Sequence, residues 1–354
     1  MKEVFKRWYD RYLSEEEAVI LLVLLVLALV VMLAFGQILA PVLVAIILAY
    51  LMQGVTNLLR KRGLPKQLSV AISTGLFLGG FLAFLFGLAP LVWRQSIALL
   101  REAPAMIEAG RKVFITLPEE YPVFFTQQQI NELTGAIQAE MAALGHVLVT
   151  KGLSSIPSVL ALMVYLILIP LMVFFFLKDR EQLIEWFARF LPEKKPLLDR
   201  IWGELNLQFS NYARGKGIEV FIIGMSSYVV FALFSLNYAA LLGLLVGLSV
   251  IVPYIGATLV TLPVVVVAYF QFGVTPDFYW VVGAYLVIQV LDGNVLVPLL
   301  FSEAVNLHPV AIVIAVLFFG GLWGLWGVFF AIPLATLVNA ILSAWPARAS
   351  LPAA

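Results

Sequence analysis

The chain has 354 residues, of which 62% are apolar and only 12% are charged, and its net formal charge is +1. Its mean hydropathy is +1.02, whereas an ordinary soluble domain is about half apolar and a quarter charged, so the composition predicts an integral membrane protein. The near-neutral charge gives no sign of a nucleic-acid partner, and the absence of cysteine excludes disulfides, thiolate nucleophiles and thiolate metal sites.

The N-terminal part of the chain predicts three membrane-spanning helices. Residues 18–35 form an apolar run long enough to cross about 27 Å as a helix, and a second run, 38–52, follows almost at once. We therefore predict a hairpin with its tip at Gly36-Gln37, and a third span over 70–93. A cleavable signal peptide is disfavoured because three glutamates precede an apolar core that is too long for one.

Polarity rises between residues 94 and 152. Thr126 and Gln129 form a capping-box pattern, and apolar residues then recur at spacings of three and four. This pattern predicts an amphipathic helix outside the bilayer core. The helix either packs on its own membrane domain or serves as an oligomer contact or gate, and a fourth span follows over 153–177.

The remainder of the chain starts with a second polar stretch, 178–216, which carries eight Lys or Arg residues. The apolar runs beyond it predict spans at 218–236, 238–252, 257–272 and 278–300. The last stretch, 308–345, is interrupted by GGLWGLWG at 320–327, which predicts two short segments in a re-entrant hairpin.

The predicted fold class is all-α: a polytopic helical membrane protein with about eight transmembrane helices, the short hairpin and an extracytoplasmic helical insertion. In chain order we predict a cytoplasmic interfacial segment at 1–17, transmembrane helices 1–3 within 18–93, an extracytoplasmic amphipathic segment at 94–152, transmembrane helix 4 at 153–177, a cytoplasmic amphipathic linker at 178–216 and a C-terminal transmembrane core with broken helices at 217–347.

Basic residues near the helix ends predict the orientation. Residues 2–11 and 60–66 each hold four Lys or Arg residues, while the tip of the first hairpin has no charge. Both flanks are therefore predicted to be cytoplasmic, and an even number of crossings puts both termini there.

The stretch QVLDGNVLVPLLF, 289–301, raises the main chemical question. Asp292 lies about 21 Å from Phe278 and about 13 Å from Phe301 along a helix, and no Lys or Arg occurs between Lys216 and Arg348. A charged Asp at the centre of a span costs about 2.5–3.5 kcal/mol. We therefore expect Asp292 in the protein interior, where it is protonated, faces water, holds a cation or meets a base.

The neighbours of Asp292 extend this hypothesis. Gln289 lies one turn earlier on the same helical face, and Gly293 and Pro298 weaken the helix beyond. A broken helix beside an acid is typical of transporter substrate or ion sites. The alternative is that the DGN sequence forms a cytoplasmic turn between two shorter segments.

A second interruption, VPYIG at 252–256, has two interpretations of equal weight. Pro253 removes a backbone donor and Gly256 adds flexibility, so the helix breaks there as part of a transport path. An ordinary turn between helices explains the same residues.

Enzyme signatures are missing, so we predict no enzyme, no catalytic residues, no cofactor and no metal site. The two histidines, His146 and His308, do not form a metal-binding pair. The sequence also lacks a nucleophile elbow, a Walker loop and a dinucleotide fingerprint.

Four motifs in order carry a resemblance to a known family: NYARGKGIEVFIIG (211–224), LLGLLVGLSVIVPYIG (241–256), QVLDGNVLVPLLF (289–301) and NLHPVAIVIAVLFFGGLWGLWGVFFAIPLA (306–335). Together they resemble the autoinducer-2 exporter family, also called the PerM-like permeases. The matching motif positions are Arg214, Gly215, Pro253, Tyr254, Gly256, Gln289, Asp292, Asn294, Pro298, Pro309, Gly320, Gly321 and Pro333. The family often has an acid where this chain has Val250, and often Glu where it has Asp292. The first departure weakens a paired-carboxylate mechanism.

The resemblance implies a prokaryotic inner-membrane protein that exports small solutes, some relatives being assigned to autoinducer-2 in quorum sensing and others to sodium/proton exchange. It also implies a ring-like homo-oligomer, with a pentamer as one option. The expected partners are a small solute, H⁺ or Na⁺, and the lipid bilayer.

We therefore expect a secondary transporter that exports a small polar solute or signal molecule with proton coupling. A monovalent cation (Na⁺ or Li⁺)/proton antiporter is the alternative, and a non-transporting assembly or scaffold protein is the alternative of another class. The residues expected along the transport path are Asp292, Gln289, Asn294, Arg214 and Glu219. The helix breaks expected to act in gating are Pro253, Tyr254, Gly256, Gly293, Pro298, Gly320 and Gly321.

Overall fold

A computed structural model describes residues 16–120, 156–192, 196–253, 255–301 and 307–344, with isolated residues between 128 and 139. Tyr254, the N-terminal tail and most of the predicted amphipathic helix after Phe125 lie outside the described residues. All the regular elements of the described part are helical. They are α1 (Glu16–Lys61), α2 (Lys66–Ala83), the π-helix π1 (Phe84–Leu88), α3 (Ala89–Glu120), α4 (Ile156–Lys178), α5 (Arg180–Ala188), α6 (Pro196–Leu233), α7 (Ala239–Ser249), α8 (Ile255–Phe272), α9 (Pro276–Leu291), the π-helix π2 (Asp292–Leu296), α10 (Val297–Phe301) and α11 (Pro309–Ala344).

Six segments of the described chain are long and apolar enough to cross a membrane. They are Val19–Gly36, Ile38–Lys61, Lys66–Met106, Leu198–Leu233, Ile255–Phe272 and Pro276–Phe301, and shorter apolar helices accompany them. The prediction of a polytopic helical membrane protein is confirmed.

The chain forms two compact units. Unit 1 comprises Met1–Gly75, Leu168–Gly217 and Val297–Ala354, and unit 2 comprises Leu76–Ile167 and Ile218–Leu296. The helix α6 contributes its first part to unit 1 and its second part to unit 2. The predicted boundary between linker and membrane core at residue 216 therefore falls inside one continuous helix.

The hairpin at Gly36-Gln37 stays a prediction. Both residues are helical within α1, and two candidate spans, Val19–Gly36 and Ile38–Lys61, lie on either side of Gln37. A side chain at Gly36 would overlap the indole of Trp323, so the glycine permits a close contact between helices.

Contacts within unit 1 show that α1 is not straight. Leu21 belongs to the apolar cluster that contains Ile201 of α6, and the Tyr50 hydroxyl donates to Asn206 on the same helix. On a straight helix residues 21 and 50 would be about 43 Å apart, so α1 bends between them.

The helix α7 is shorter than the span predicted over 238–252. It has 11 residues, about 16 Å, which is too short for a hydrocarbon core of about 30 Å. Within unit 2, α7 packs on α8 and α3. It also crosses α6 closely, because a Cβ atom at Gly247 would lie 2.8 Å from the Gly224 Cα.

Unit 2 has its apolar core among α3, α6, α7, α8 and α9. The fully buried side chains of this core include Phe231, Leu242, Val264 and Val281. Met106 is buried in the same cluster, although it belongs to the segment predicted outside the bilayer core. The start of that segment is thus part of the helical core.

The predicted short hairpin at 320–327 is present within α11. Gly324 adopts φ 60° and ψ −138°, a backbone conformation open mainly to glycine, and the chain reverses there. Ala315 and Val316 pack with Ala331 across the two arms. Gly327 approaches Phe319 so closely that a Cβ atom would overlap its carbonyl oxygen.

Aromatic side chains join the α11 hairpin to the rest of unit 1. The Phe209 ring on α6 stacks on Phe330 with ring centroids 6.4 Å apart, and Tyr50 on α1 meets Phe209 edge-on at 4.9 Å. This packing holds the first part of α6 between α1 and the hairpin.

Candidate functional site

The helix that carries Asp292 is interrupted but does not turn. It passes from α9 into π2 at Asp292 and returns to α-helix at Val297. The alternative of a DGN turn between two segments is therefore not what the structure contains. A π-bulge widens one turn of a helix and is frequent at functional sites, so the acid lies at the irregular point of its helix.

A polar face runs along this helix within unit 2. Tyr285, Gln289 and Asp292 are spaced by four and three residues, which places them on one side of a helix. Tyr285 is fully buried and Asp292 is 8% exposed. The expectation that Asp292 lies in the protein interior agrees with this burial.

Hydroxyl groups tie the polar face to α8. The Tyr285 hydroxyl lies 2.8 Å from Thr261 Oγ1, and Thr261 in turn donates to the carbonyl oxygen of Ala257 at 2.7 Å. The buried Nε2 of Gln289 makes no hydrogen bond of good geometry with the described residues, but the Gln289 amide lies close to the Tyr285 hydroxyl. The amide thus extends the polar group formed by Tyr285 and Thr261.

The remaining residues singled out in the 289–301 motif are exposed. Asn294 is exposed, and its Nδ2 donates to the carbonyl oxygen of Val290 at 2.9 Å. This bond serves a backbone group at the bulge, so Asn294 supports π2 instead of sharing the buried face with Asp292. Gly293 and Pro298 are exposed too.

A second buried acid comes from α6. Glu219 is 2% exposed in unit 2, deeper than the interfacial position that its proximity to Lys216 indicated. The side chains at 223 and 227, spaced by four residues from it, are also buried. In the described part of unit 2, two carboxyl groups are thus buried, those of Glu219 and Asp292.

Arg214 belongs to unit 1, not to the unit that holds these acids. Its Nη2 donates to Asn211 Oδ1 at 2.5 Å and its Nε donates to the carbonyl oxygen of Ser210 at 3.1 Å. Its aliphatic part packs on Gly54. Both described hydrogen bonds are local to α6.

The proposed helix breaks have different local causes. The connection around Pro253 joins α7 to α8, two helices that pack on each other, which favours the interpretation as an inter-helix turn. A side chain at Gly256 would overlap the carbonyl oxygen of Ser249. In α11, Gly320 contacts Val328 whereas Gly321 is exposed, and the turn itself is at Gly324.

Sequence reasoning missed Tyr285 and Thr261. Tyr285 lies four residues before Gln289, so the helical spacing alone could have identified it, whereas Thr261 is recognisable only from helix packing. The predicted interruption at 320–327 included Gly324 but did not identify it as the turn.

A buried acid on an interrupted helix, in a chain with several apolar helices, is typical of membrane transport proteins. This class is also the one indicated by the comparison with known families. The family described as "AI-2E family transporter" matches residues 21–347, and the chain belongs to it.

Relatives with the same kind of name match along nearly the whole chain. The chain is 46% identical over 346 residues to "Putative permease PerM" of Escherichia coli (strain K12), which covers 98% of both chains. It is 25% identical to "Putative transport protein YueF" of Bacillus subtilis (strain 168), over 85% of this chain and 82% of the relative. It is also 25% identical to "Putative transport protein YrrI" of the same strain, over 85% of both chains. These names describe transport proteins and no enzyme.

Proposed function

We propose that the chain is a secondary transporter that exports a small polar solute or signal molecule of the autoinducer-2 kind, with proton exchange at Asp292. The observation that carries this proposal is the polar face formed by buried Tyr285, half-buried Gln289 and buried Asp292 on an interrupted helix. A charged Asp inside a membrane costs about 2.5–3.5 kcal/mol. Such an acid gains and loses its proton with the polarity of its surroundings, as coupling requires.

The groups beside Asp292 suit a neutral, hydroxyl-rich solute. The amide of Gln289 offers both a donor and an acceptor, and the hydroxyl pair of Tyr285 and Thr261 adds two further polar groups. In this proposal, bonds within the protein are exchanged for bonds to the solute. The conformational changes of transport occur at three breaks in the helices: the π-bulge, the α7–α8 connection and the turn at Gly324.

Orientation and assembly complete the proposal. The protein lies in a prokaryotic inner membrane with both termini cytoplasmic, and Arg214 serves as an intracellular counter-charge. The family resemblance supports a ring-like homo-oligomer, and native mass spectrometry in detergent tests the subunit number.

The test is flux in reconstituted vesicles under an imposed pH gradient, with candidate signal molecules as solutes. We expect Asp292→Asn to lower proton-linked flux at least tenfold, because the amide cannot exchange a proton. The matched control is Asp277→Asn, which changes an exposed acid at the start of α9 and should transport normally. Undiminished flux in Asp292→Asn removes the acid from the mechanism.

A monovalent cation/proton antiporter is the second candidate. It is favoured by the presence of two buried acids, Glu219 and Asp292, in one unit, since carboxylates bind hard cations. Sodium-dependent dequenching of a pH dye in everted vesicles supports it. Solute efflux without any dependence on sodium contradicts it.

A further inference from the structure

A polar cavity of about 220 Å³ lies wholly within unit 1. It has room for about seven waters at the volume that each occupies in the liquid. Its walls come from α1, α2, α4, α5 and α6, and the polar residues among them are Tyr50, Gln53, Thr56, Asn57, Arg60, Lys66, Arg180, Glu181, Asn206 and Ser210. We call it the basic cavity.

The charges around the basic cavity are predominantly positive. Arg60, Lys66 and Arg180 line it together with one acid, Glu181, so its formal charge is +2. Lys66 and Glu181 pair with each other at 2.6 Å, which leaves the two arginines as the uncompensated cations. An adjoining open cleft shares Asn57 and Arg60 with it.

The cleft extends the positive charge away from the cavity. Besides Asn57 and Arg60 it is lined by Lys61 and Arg214. Among the described residues no acid lines the cleft, so cavity and cleft together hold five cations against the single carboxylate of Glu181. This charge favours the approach of an anion.

Hydrogen bonds within the basic cavity occupy the side-chain oxygens of its two asparagines. Asn206 Oδ1 accepts from the Tyr50 hydroxyl at 2.9 Å and from Arg180 Nη2 at 3.0 Å. Asn57 Oδ1 accepts from Gln53 Nε2 at 2.8 Å. Because both amide oxygens are engaged in this way, the amide nitrogens are the atoms that these side chains present to a ligand.

The pKa of the acid in the cavity, Glu181, is lowered, as expected where the electrostatic potential is positive. The hydrogen bond and charge of Lys66 lower the pKa of Glu181, and the charges of Arg60 and Arg180 lower it further. The site therefore stabilises negative charge. Guanidinium groups with convergent N–H donors match phosphate oxygens especially well.

We propose that the basic cavity binds the phosphate group of an anion, either an anionic lipid headgroup or a soluble phosphorylated solute. Arg60 and Arg180 hold the phosphate from two sides, and Asn57 and Asn206 donate their amide N–H groups. The site lies in unit 1 and is independent of the transport role proposed for Asp292.

Two binding measurements on the full-length protein in neutral detergent distinguish the sources. Inorganic pyrophosphate titrated by calorimetry probes a soluble phosphate, and retention of phosphatidylglycerol against phosphatidylcholine in native mass spectrometry probes a lipid headgroup. Saturable pyrophosphate binding identifies a soluble ligand, and selective retention of phosphatidylglycerol alone identifies a lipid. Binding of neither probe overturns the proposal.

Matched variants connect the binding to the cavity. The double variant Arg60→Gln/Arg180→Gln is expected to weaken binding at least tenfold. The control Arg62→Gln/Arg189→Gln changes the net charge equally at exposed positions that do not line the cavity, and should stay within twofold of wild type. Equal losses in the two doubles overturn the proposal, because they indicate unspecific attraction.

A further variant covers the case in which the arginine double does not fold. Asn57→Asp keeps the shape of an exposed side chain and places a negative charge in the cavity. We expect it to weaken binding at least tenfold while the thermal unfolding of the protein stays close to wild type. Wild-type affinity in a folded Asn57→Asp protein contradicts the proposed site.

Discussion

The α11 hairpin leads to a prediction with a built-in control. In Gly327→Ala, the new methyl group would overlap the carbonyl oxygen of Phe319, which is backbone of the opposite arm, whereas nothing lies within 4 Å of a Cβ atom at Gly321. Overpacking of this kind costs about 1–3 kcal/mol. Replacing an unstrained helical glycine by alanine gains about 0.5–1 kcal/mol.

The two variants should therefore differ by about 1.5–4 kcal/mol in the free energy of unfolding, with Gly327→Ala the less stable. Equilibrium denaturation in mixed micelles, followed by circular dichroism, measures this difference. Equal stability of Gly327→Ala and Gly321→Ala would refute the close contact between the arms.

A distance measurement tests the hairpin itself. The chain has no cysteine, so spin labels on Val310→Cys/Val338→Cys report a single pair, and both positions are exposed. In one straight helix these residues would be about 42 Å apart, whereas the axes of packed arms lie about 8–10 Å apart. We expect a label distance well below 30 Å. A distance near 42 Å would contradict the turn at Gly324.

Three further predictions concern stability. Gly247→Ala should destabilise the protein by about 1–3 kcal/mol, because its Cβ atom would lie 2.8 Å from the backbone of α6, while Gly283→Ala, in open space, should not. Burial is the main cause that raises the pKa of Tyr238 to about 12, and the nearby Glu102 is the second. Between pH 10 and 12 the unfolded state therefore loses this proton while the folded state keeps it. Wild type should lose stability relative to Tyr238→Phe over this pH range. The melting temperature of Lys66→Gln should be below that of wild type at neutral pH, and this difference should vanish as the pH falls through the lowered pKa of Glu181. A difference in melting temperature that persists in acid contradicts the ion pair.

The elements most accessible from the sequence were those with a strong local signal. The glycine-rich interruption in the last apolar run predicted the α11 hairpin, because repeated glycines both permit a positive φ and allow close packing. The depth of Asp292 within its apolar run likewise predicted burial. In both cases the physical cause lies within a few consecutive residues.

The contact partner of Gly36 was not accessible from the sequence. The glycine allows close packing against the indole of Trp323, and Trp323 lies far along the chain. The local sequence therefore indicated an interruption of the apolar run, but not the residue that packs against it.

The basic cavity could not be predicted from the sequence, because the residues that line it lie far apart along the chain. Its walls come from five helices, and Asn206 is 156 residues from its partner Tyr50. Charge runs at 60–66 and 178–216 indicated a membrane side, but not that they meet through Lys66 and Glu181. Positive residues that orient a membrane protein and those that bind an anion look alike in sequence.

Solvent access to Asp292 during transport tests the central claim most directly. Asp292→Cys would carry the only cysteine of the chain, and Leu291→Cys is the control, since Leu291 is 52% exposed on the apolar surface. A charged, membrane-impermeant thiol reagent is applied to vesicles with and without added solute. The proposal predicts that Asp292→Cys reacts at least tenfold faster than Leu291→Cys and that solute slows this reaction. A cysteine at 292 that reacts no faster than one at 291 would contradict a water-filled path at the acid.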